Sequence, residues 1–115
     1  MTLKLNGLEV LCVIGERPDE RHRLQKLRID VELAIPSAAA ETDRLADTID
    51  YAALTEAIRA ALVAAKCQMI EHAAKVVFGV CAAACPASAG AHALRVTVTK
   101  AGAIPGLESA SVSYP

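Results

Sequence analysis

Hydrophobic and polar residues alternate in several stretches of the chain, which is the pattern of β-strands that bury one face. The pattern predicts strands over residues 3–14, 27–35, 94–100 and 109–113, with an interruption of the first near Asn6-Gly7. Alternation at period two places the apolar side chains of each strand on one face and the polar ones on the other. We therefore expect a sheet with one face in the core and one face in water.

The middle of the chain changes to helical spacing. A first helix is expected after Asp50, whose carboxylate is suited to cap it, with the apolar stripe Leu54, Ile58, Ala61, Leu62 and Ala65. A second helix is expected to begin near Cys67 and to end before Pro86, with the stripe Ile70, Ala74, Val77 and Cys81. Residues 36–49 are expected to form a polar connection and residues 87–90 a loop.

The order of elements is strand, strand, helix, helix, strand, strand. This order favours an α+β fold, in which an antiparallel sheet carries both helices on its apolar face. The chain of 115 residues is expected to form a single domain over 1–115. Much of its apolar content is alanine, with one Phe, two Tyr and no Trp, so the core is thin and association into an oligomer is expected to add burial.

Composition excludes several classes of partner. The net charge is −1, the basic residues form no block and aromatic residues are scarce, so no nucleic-acid partner is expected. No apolar run approaches the roughly 20 residues that span a bilayer, and residues 1–6 do not resemble a signal peptide, so a cytoplasmic protein without a membrane partner is expected. The four cysteines are scattered and lack the paired short spacing of a zinc site, so we interpret them as packing residues and expect no metal.

Four residues break the pattern of an ordinary core and surface. Lys100 ends the apolar row of its strand, so its side chain must either reach solvent at the sheet edge or line a pocket. Glu71 lies at the start of the second helix. It is either an ordinary acid that the helix dipole favours there, or a carboxylate that accepts two parallel hydrogen bonds from the amidine-like edge of a ligand ring. Tyr51 can pack on the core or act as an acid, and Glu20 is either a solvated loop charge or a site residue.

The chain resembles the dihydroneopterin aldolase family over nearly its whole length. The marks are Ile14-Gly15 with Glu20 five residues after the glycine, Gln25-Lys26-Leu27, the run 43–51, Met69-Ile70-Glu71-His72, Val96-Thr97-Val98-Thr99-Lys100 and Ile104-Pro105-Gly106. Each mark is weak alone, but their order along the chain is specific. Ala101 departs from the family pattern, in which a proline commonly follows the lysine.

The resemblance implies the tunnelling fold, whose subunits assemble into a barrel as a tetramer or octamer with active sites between subunits. It implies that Glu71 anchors a reduced pterin, with Ile70 and Ile49 also in the substrate site. Lys100 would transfer protons, Tyr51 of a neighbouring subunit would line the site or donate a proton, and Glu20 would help to position the substrate. No cofactor, metal or lysine Schiff base is implied.

The implied activity is cleavage of 7,8-dihydroneopterin, or a close relative, to 6-hydroxymethyl-7,8-dihydropterin and glycolaldehyde in the synthesis of folate-type cofactors. Two alternatives stay open. The first is epimerisation of the side chain of dihydroneopterin or its triphosphate, which would use the same groups. The second is a non-catalytic oligomer that binds a pterin through Glu71 without turnover.

Overall fold

The computed structural model describes residues 1–85 and 94–115. Four antiparallel strands form one sheet in the order β1-β2-β3-β4. The strands are β1 (Thr2–Cys12), β2 (Gln25–Ala34), β3 (Leu94–Ala101) and β4 (Ser109–Tyr114). The expected α+β class and the antiparallel sheet are thereby confirmed. The loop expected at residues 87–90 lies outside the described residues.

Strands β1 and β2 form the first hairpin, and its register shifts between Leu5 and Leu8. Gly7 has a φ of 74° and donates its backbone N–H to Asp30 Oδ1 at 2.8 Å, which explains the interruption expected there. The expectation that the first strand continues to residue 14 is wrong. Strand β1 ends at Cys12, and the backbone N–H of Gly15 donates to the carbonyl of Cys67, which follows the first long helix, instead of to β2.

The helices are α1 (Ala38–Thr42), α2 (Tyr51–Ala65) and α3 (Ile70–Ala84). Asp50 caps α2 as expected, because its carboxylate accepts the N–H of Ala53 at 3.1 Å. Helix α3 begins at Ile70 and not near Cys67, since Lys66 adopts a left-handed conformation that ends α2 and residues 66–69 connect the two helices.

The connection after β2 also holds structure that the sequence pattern did not predict. Besides α1 it contains a 3-10 turn over Leu45–Asp47. Neither element buries a residue, so neither has an apolar stripe from which it could have been predicted.

The core lies between one face of the sheet and the two long helices. Its largest fully buried side chains come from all three regions and include Leu27, Ile29, Val31, Leu33, Ile58, Leu62, Val77, Val96 and Val98. Burial of each such side chain contributes about 1.5–3 kcal/mol.

Phe78 of α3 contacts Tyr114 of β4 edge-on, with 5.0 Å between the ring centroids. The helices thus cover the apolar face, as expected from the alternation.

Most of each expected helix stripe is buried, but Ala61 is only half-buried, and the expectation that Ala65 belongs to the buried stripe of α2 is wrong, because this last residue of the helix is exposed. Leu54, Ile58 and Leu62 are buried in α2, and Ala74, Val77 and Cys81 are buried in α3, whereas Lys75 is exposed. No helix within residues 1–85 and 94–115 is both long enough and apolar enough to cross a membrane.

Candidate functional site

A cleft of about 390 Å³ opens at one end of the sheet. It is formed where the chain leaves β1, where α3 begins and where β3 ends, and its walls include Gly15, Glu20, Ile70, Glu71, Lys100 and Ile104. Antiparallel pairing explains the convergence, because Lys100 lies opposite Leu27 of β2 and opposite Ala110 of β4. Segments far apart in the sequence therefore meet at this one end.

Lys100 lies on the core side of β3, as predicted from its position on the same strand face as Leu94, Val96 and Val98. Only 12% of its side chain is exposed, so it is not a solvated lysine at the end of a strand. Its ammonium Nζ lies 2.7 Å from Glu20 Oε2 and donates a hydrogen bond to that carboxylate. The lysine is therefore held at the wall of the cleft by a specific ion pair.

Glu20 begins a 3-10 turn, Glu20–His22, in the hairpin loop, and it is only 5% exposed. The interpretation of Glu20 as a solvated loop charge is therefore wrong. Besides Lys100, its carboxylate accepts hydrogen bonds from Gln25 Nε2 at 3.0 Å and Arg17 Nε at 3.2 Å. The bonds from Lys100, Gln25 and Arg17 outweigh the effect of burial and lower the pKa of Glu20 from 4.5 to about 2.

Gly15 gives this carboxylate the space that it occupies. Its φ is 122°, a conformation that residues with a side chain rarely adopt, and a Cβ at this position would overlap the carboxylate of Glu20. Gln25, at the start of β2, closes the other side, since its Nε2 also donates to the carbonyl of Ile14 at 2.6 Å. The backbone and the side chains thus fix one orientation of Glu20.

Glu71 and Ile70 form another wall of the cleft, from the first turn of α3. The Glu71 side chain is exposed, and among the residues that the structure describes its carboxylate has no hydrogen-bond or ion-pair partner. Met69 precedes the helix without a capping side chain, so backbone N–H groups of the first turn also face this region without a side-chain cap. A carboxylate in such a place can receive donors from a ligand.

Tyr51 and Ile49 do not line this cleft within the same chain. Tyr51 is 59% exposed and lies at the start of α2, beside the first half of β1. Ile49 is buried and belongs to a separate hollow with Leu54 and Val80. Of the six predicted site residues, the structure brings four together in one cleft: Glu20, Ile70, Glu71 and Lys100.

The hydrogen-bond partners of Glu20 could not be assigned from the sequence pattern. Gln25 and Arg17 are polar residues near a hairpin loop, like Arg23 beside them, and their spacing does not distinguish them. Of these two residues, only Gln25 belongs to a motif of the family resemblance, and that motif did not indicate a role for its side chain.

A larger hollow of about 580 Å³ lies on the polar face of the sheet and has a different character. Its three basic side chains are all engaged in ion pairs: Lys26 with Glu9 at 3.5 Å, Arg23 with Asp19 and Arg28 with Asp30. Within residues 1–85 and 94–115, no group of three His, Cys, Asp or Glu residues is placed to hold a metal ion. The cleft is therefore the better candidate, despite its smaller volume.

The fold and the cleft define a small α+β protein in which a lysine–carboxylate pair and a second carboxylate line one cleft. A model of the FolB family, described as dihydroneopterin aldolase, matches residues 3–114. The chain therefore belongs to the FolB, or dihydroneopterin aldolase, family, and the function and enzyme class expected from the resemblance are confirmed.

Solved structures agree with this assignment. A FolB protein assigned as a dihydroneopterin aldolase from Vibrio cholerae is 27% identical, with a TM-score of 0.85 over 99% of this chain and 94% of that one. The Escherichia coli dihydroneopterin aldolase in complex with neopterin is 23% identical, with a TM-score of 0.84 over 100% and 99%.

A dihydroneopterin aldolase of a Burkholderia species, bound to guanine, is 20% identical, with a TM-score of 0.74 over 99% of this chain and 88% of that one. Because the Escherichia coli and Burkholderia proteins are both less than 25% identical to this chain, their similarity supports the fold alone. No curated protein sequence matches the chain.

Proposed function

We propose that the chain cleaves the side chain of 7,8-dihydroneopterin, or of a close relative, to 6-hydroxymethyl-7,8-dihydropterin and glycolaldehyde. The observation that carries the proposal is the Lys100–Glu20 ion pair, which lines one cleft with Glu71, a carboxylate that has no partner among residues 1–85 and 94–115. One wall offers an acceptor for the ring, and the other offers a group that can carry a proton. In this proposal residues 1–115 act as one domain, because β1 to β4 share one sheet and one core.

Glu71 anchors the pterin ring. A pterin presents two adjacent N–H donors on its pyrimidine edge, and an ionised carboxylate can accept both in parallel. Glu71 lies in the first turn of α3, where the positive end of the helix dipole interacts favourably with a negative charge. Ile70, the adjacent residue on the same wall, contributes apolar contact to the bound ring.

Lys100 moves the protons of the reaction. As the carbon–carbon bond breaks, the hydroxyl next to it loses its proton and becomes the aldehyde of glycolaldehyde, while the electron pair enters the ring imine. A proton then returns to the remaining side-chain carbon and gives the hydroxymethyl group. Lys100 enters this step as the neutral amine, after one proton of its ammonium has passed to water. The amine accepts the hydroxyl proton directly or through a water, the ammonium so formed returns a proton to the side-chain carbon, and Glu20 holds Nζ in position. Because the ring accepts the electrons, the proposal requires no metal and no Schiff base.

Tyr51 and Ile49 reach the substrate only if they come from a neighbouring subunit. We therefore propose a homo-oligomer, a tetramer or octamer, with each cleft completed by the partner. The exposure of Tyr51 and the position of β1 and β4 at the two edges of the sheet support this proposal. The cytoplasm is the proposed compartment, since the four free cysteines suit a reducing environment.

A mixing experiment tests the shared site. Tyr51→Ala and Lys100→Ala are each expected to lack activity, but refolding them together produces some clefts with an intact Lys100 and an intact Tyr51. Recovery of activity in the mixture, with none when either variant is refolded alone, supports a site between subunits. If two inactive variants give an inactive mixture, although they associate by size-exclusion chromatography, the shared site is wrong.

The activity is tested by incubating the purified protein with 7,8-dihydroneopterin without oxygen and separating the pterin products, with glycolaldehyde measured in parallel. Equal amounts of hydroxymethyl-dihydropterin and glycolaldehyde are expected. An epimer as the only product would assign the chain as an epimerase, which uses the same acid–base groups. Saturable pterin binding with no product from dihydroneopterin or its phosphates would leave a binding protein and remove the catalytic proposal.

A further inference from the structure

The two walls of the cleft belong to different segments, and Arg21 joins them. Its Nη1 donates to the carbonyl of Gly15 at 2.9 Å and to the carbonyl of Cys67 at 3.2 Å. Its Nη2 donates to the carbonyl of Lys66 at 2.7 Å. One guanidinium thus binds the loop that carries Glu20 and the connection that leads into α3.

The chemistry of this contact suits an arginine. The last carbonyls of a helix have no partner within the helix, and a positive charge is favoured at that end. Lys66 and Cys67 directly follow α2, and the left-handed conformation of Lys66 turns their carbonyls out of the helix. A guanidinium offers several donors in one plane, whereas an ammonium cannot reproduce that geometry. Within residues 1–85 and 94–115, Arg21 forms no ion pair, so its donors serve the backbone.

Both ends of the contact lie next to site residues. The Glu20 carboxylate lies against Gly15, and Gly15 donates its own N–H to the carbonyl of Cys67 at 3.2 Å. Cys67 is separated from Glu71 by only three residues, of which Ile70 already belongs to α3. A shift of the loop relative to this connection therefore changes the separation between the Glu20–Lys100 pair and Glu71.

We propose that Arg21 is a positioning residue, which sets the distance between the group that transfers protons and the carboxylate that holds the ring. The inference rests on the proposed function of the cleft. Misplacement of a reacting group by about 1 Å can reduce the rate about 100-fold even when the substrate still binds. Loss of Arg21 should therefore lower kcat while Glu71 continues to hold the pterin ring.

The test compares Arg21→Met and Arg21→Lys with Arg23→Met as the matched control. Arg23 is exposed, and its ion pair is with Asp19 at 3.7 Å on the surface. Arg21→Met is expected to lower kcat by about 10–100-fold while the Kd of a pterin without a side chain changes less than about threefold. Arg21→Lys should recover part of kcat, and guanidinium added to Arg21→Ala should do the same. Arg23→Met should resemble the unmodified protein.

A second measurement does not depend on turnover. Exchange of the Gly15 amide hydrogen, followed by NMR, is expected to be faster in Arg21→Met than in Arg23→Met, because the Gly15–Cys67 hydrogen bond loses its support. Equal protection in both variants would overturn the inference, as would a normal kcat accompanied only by a lower Tm. If the unmodified protein has no aldolase activity, the proposed function fails, and the amide exchange still decides whether Arg21 holds the two segments together.

Discussion

The two carboxylates of the cleft are placed in opposite ways. Glu20 is buried and accepts hydrogen bonds from Lys100, Gln25 and Arg17, all within the chain. Glu71 is exposed, and no partner for it occurs among the residues that the structure describes. The same functional group is thus satisfied at one wall and left open at the other.

This difference indicates how the work of the cleft is divided. A carboxylate whose acceptors are already occupied can orient a neighbouring group without reorganising, which is the basis of electrostatic preorganisation. Glu20 is therefore suited to hold the ammonium of Lys100. A carboxylate without partners is tolerated only while water reaches it, so the exposed Glu71 remains available for a ligand that supplies two donors.

Replacing Lys100 should remove most of the turnover while the affinity for a pterin changes little. Lys100→Met keeps the apolar part of the side chain and removes the ammonium, and loss of a general acid–base group typically costs about 100–10,000-fold in rate. The Kd of a pterin, measured by fluorescence titration, should change little, because Glu71, the proposed anchor of the ring, belongs to a different segment and is unchanged.

Lys75→Met is the matched control for this variant, since Lys75 is exposed on α3 and does not line the cleft. It should keep full activity. Substantial turnover by Lys100→Met would show that another group transfers the protons.

Replacing Glu71 should have the converse effect. Glu71→Gln keeps the shape but exchanges one acceptor for a donor, so one of the two proposed hydrogen bonds from the ring is lost. Hydrogen bonds to charged groups contribute about 1.5–3 kcal/mol, which corresponds to a rise in Kd of about 10–100-fold.

Calorimetric titration with a pterin measures this change, with His72→Gln as a neighbouring control, since His72 is exposed and outside the cleft lining. An unchanged Kd in Glu71→Gln would remove Glu71 as the anchor of the ring.

Adding a methyl group at Gly15 should disturb only the part of the cleft that Glu20 and Lys100 form. Gly15→Ala introduces a Cβ that overlaps the Glu20 carboxylate and strains a residue at a φ of 122°. Such strain costs about 1–3 kcal/mol, so the Tm should fall, and kcat should fall with it as Glu20 and Lys100 are displaced.

Gly79→Ala is the control for the added methyl group. Gly79 lies within α3, and its new Cβ would meet no atom of residues 1–85 and 94–115 within 4 Å. Alanine should stabilise the helix there by up to about 1 kcal/mol. Equal stability of the two variants would show that the space above Gly15 is not required.

Acid should weaken the ion pair between Glu20 and Lys100 over a defined range of pH. The pKa of Glu20 is about 2 in the folded chain against an ordinary value of 4.5, so its ionised form stabilises the fold. This stabilisation is fully present above the unfolded pKa and is lost as the pH falls from about 4.5 towards 2. The Tm difference between the unmodified protein and Glu20→Gln should therefore shrink over that range. A difference that is independent of pH would mean that the ion pair does not stabilise the folded state.

The predictions from the sequence succeeded where neighbouring residues decide the outcome. Alternation identified the four strands, the helical stripes identified α2 and α3, and Asp50 was recognised as the cap of α2. The parity of Lys100 with its apolar neighbours was sufficient to predict that it lies on the core side of β3. The short helix α1 escaped prediction, because an element that buries nothing leaves no periodic signal.

The four strands, the two long helices, their apolar faces and the likeness to the dihydroneopterin aldolase family could therefore be predicted from local pattern and motif. The burial of Glu20 against Lys100, 80 residues away, and the contact of Arg21 with the end of α2 could be seen only in the folded chain. The physical reason is the range of the interactions. Strands and helices follow from side chains a few residues apart, whereas an ion pair between distant segments exists only after the sheet has brought its strands together and the helices have closed over it.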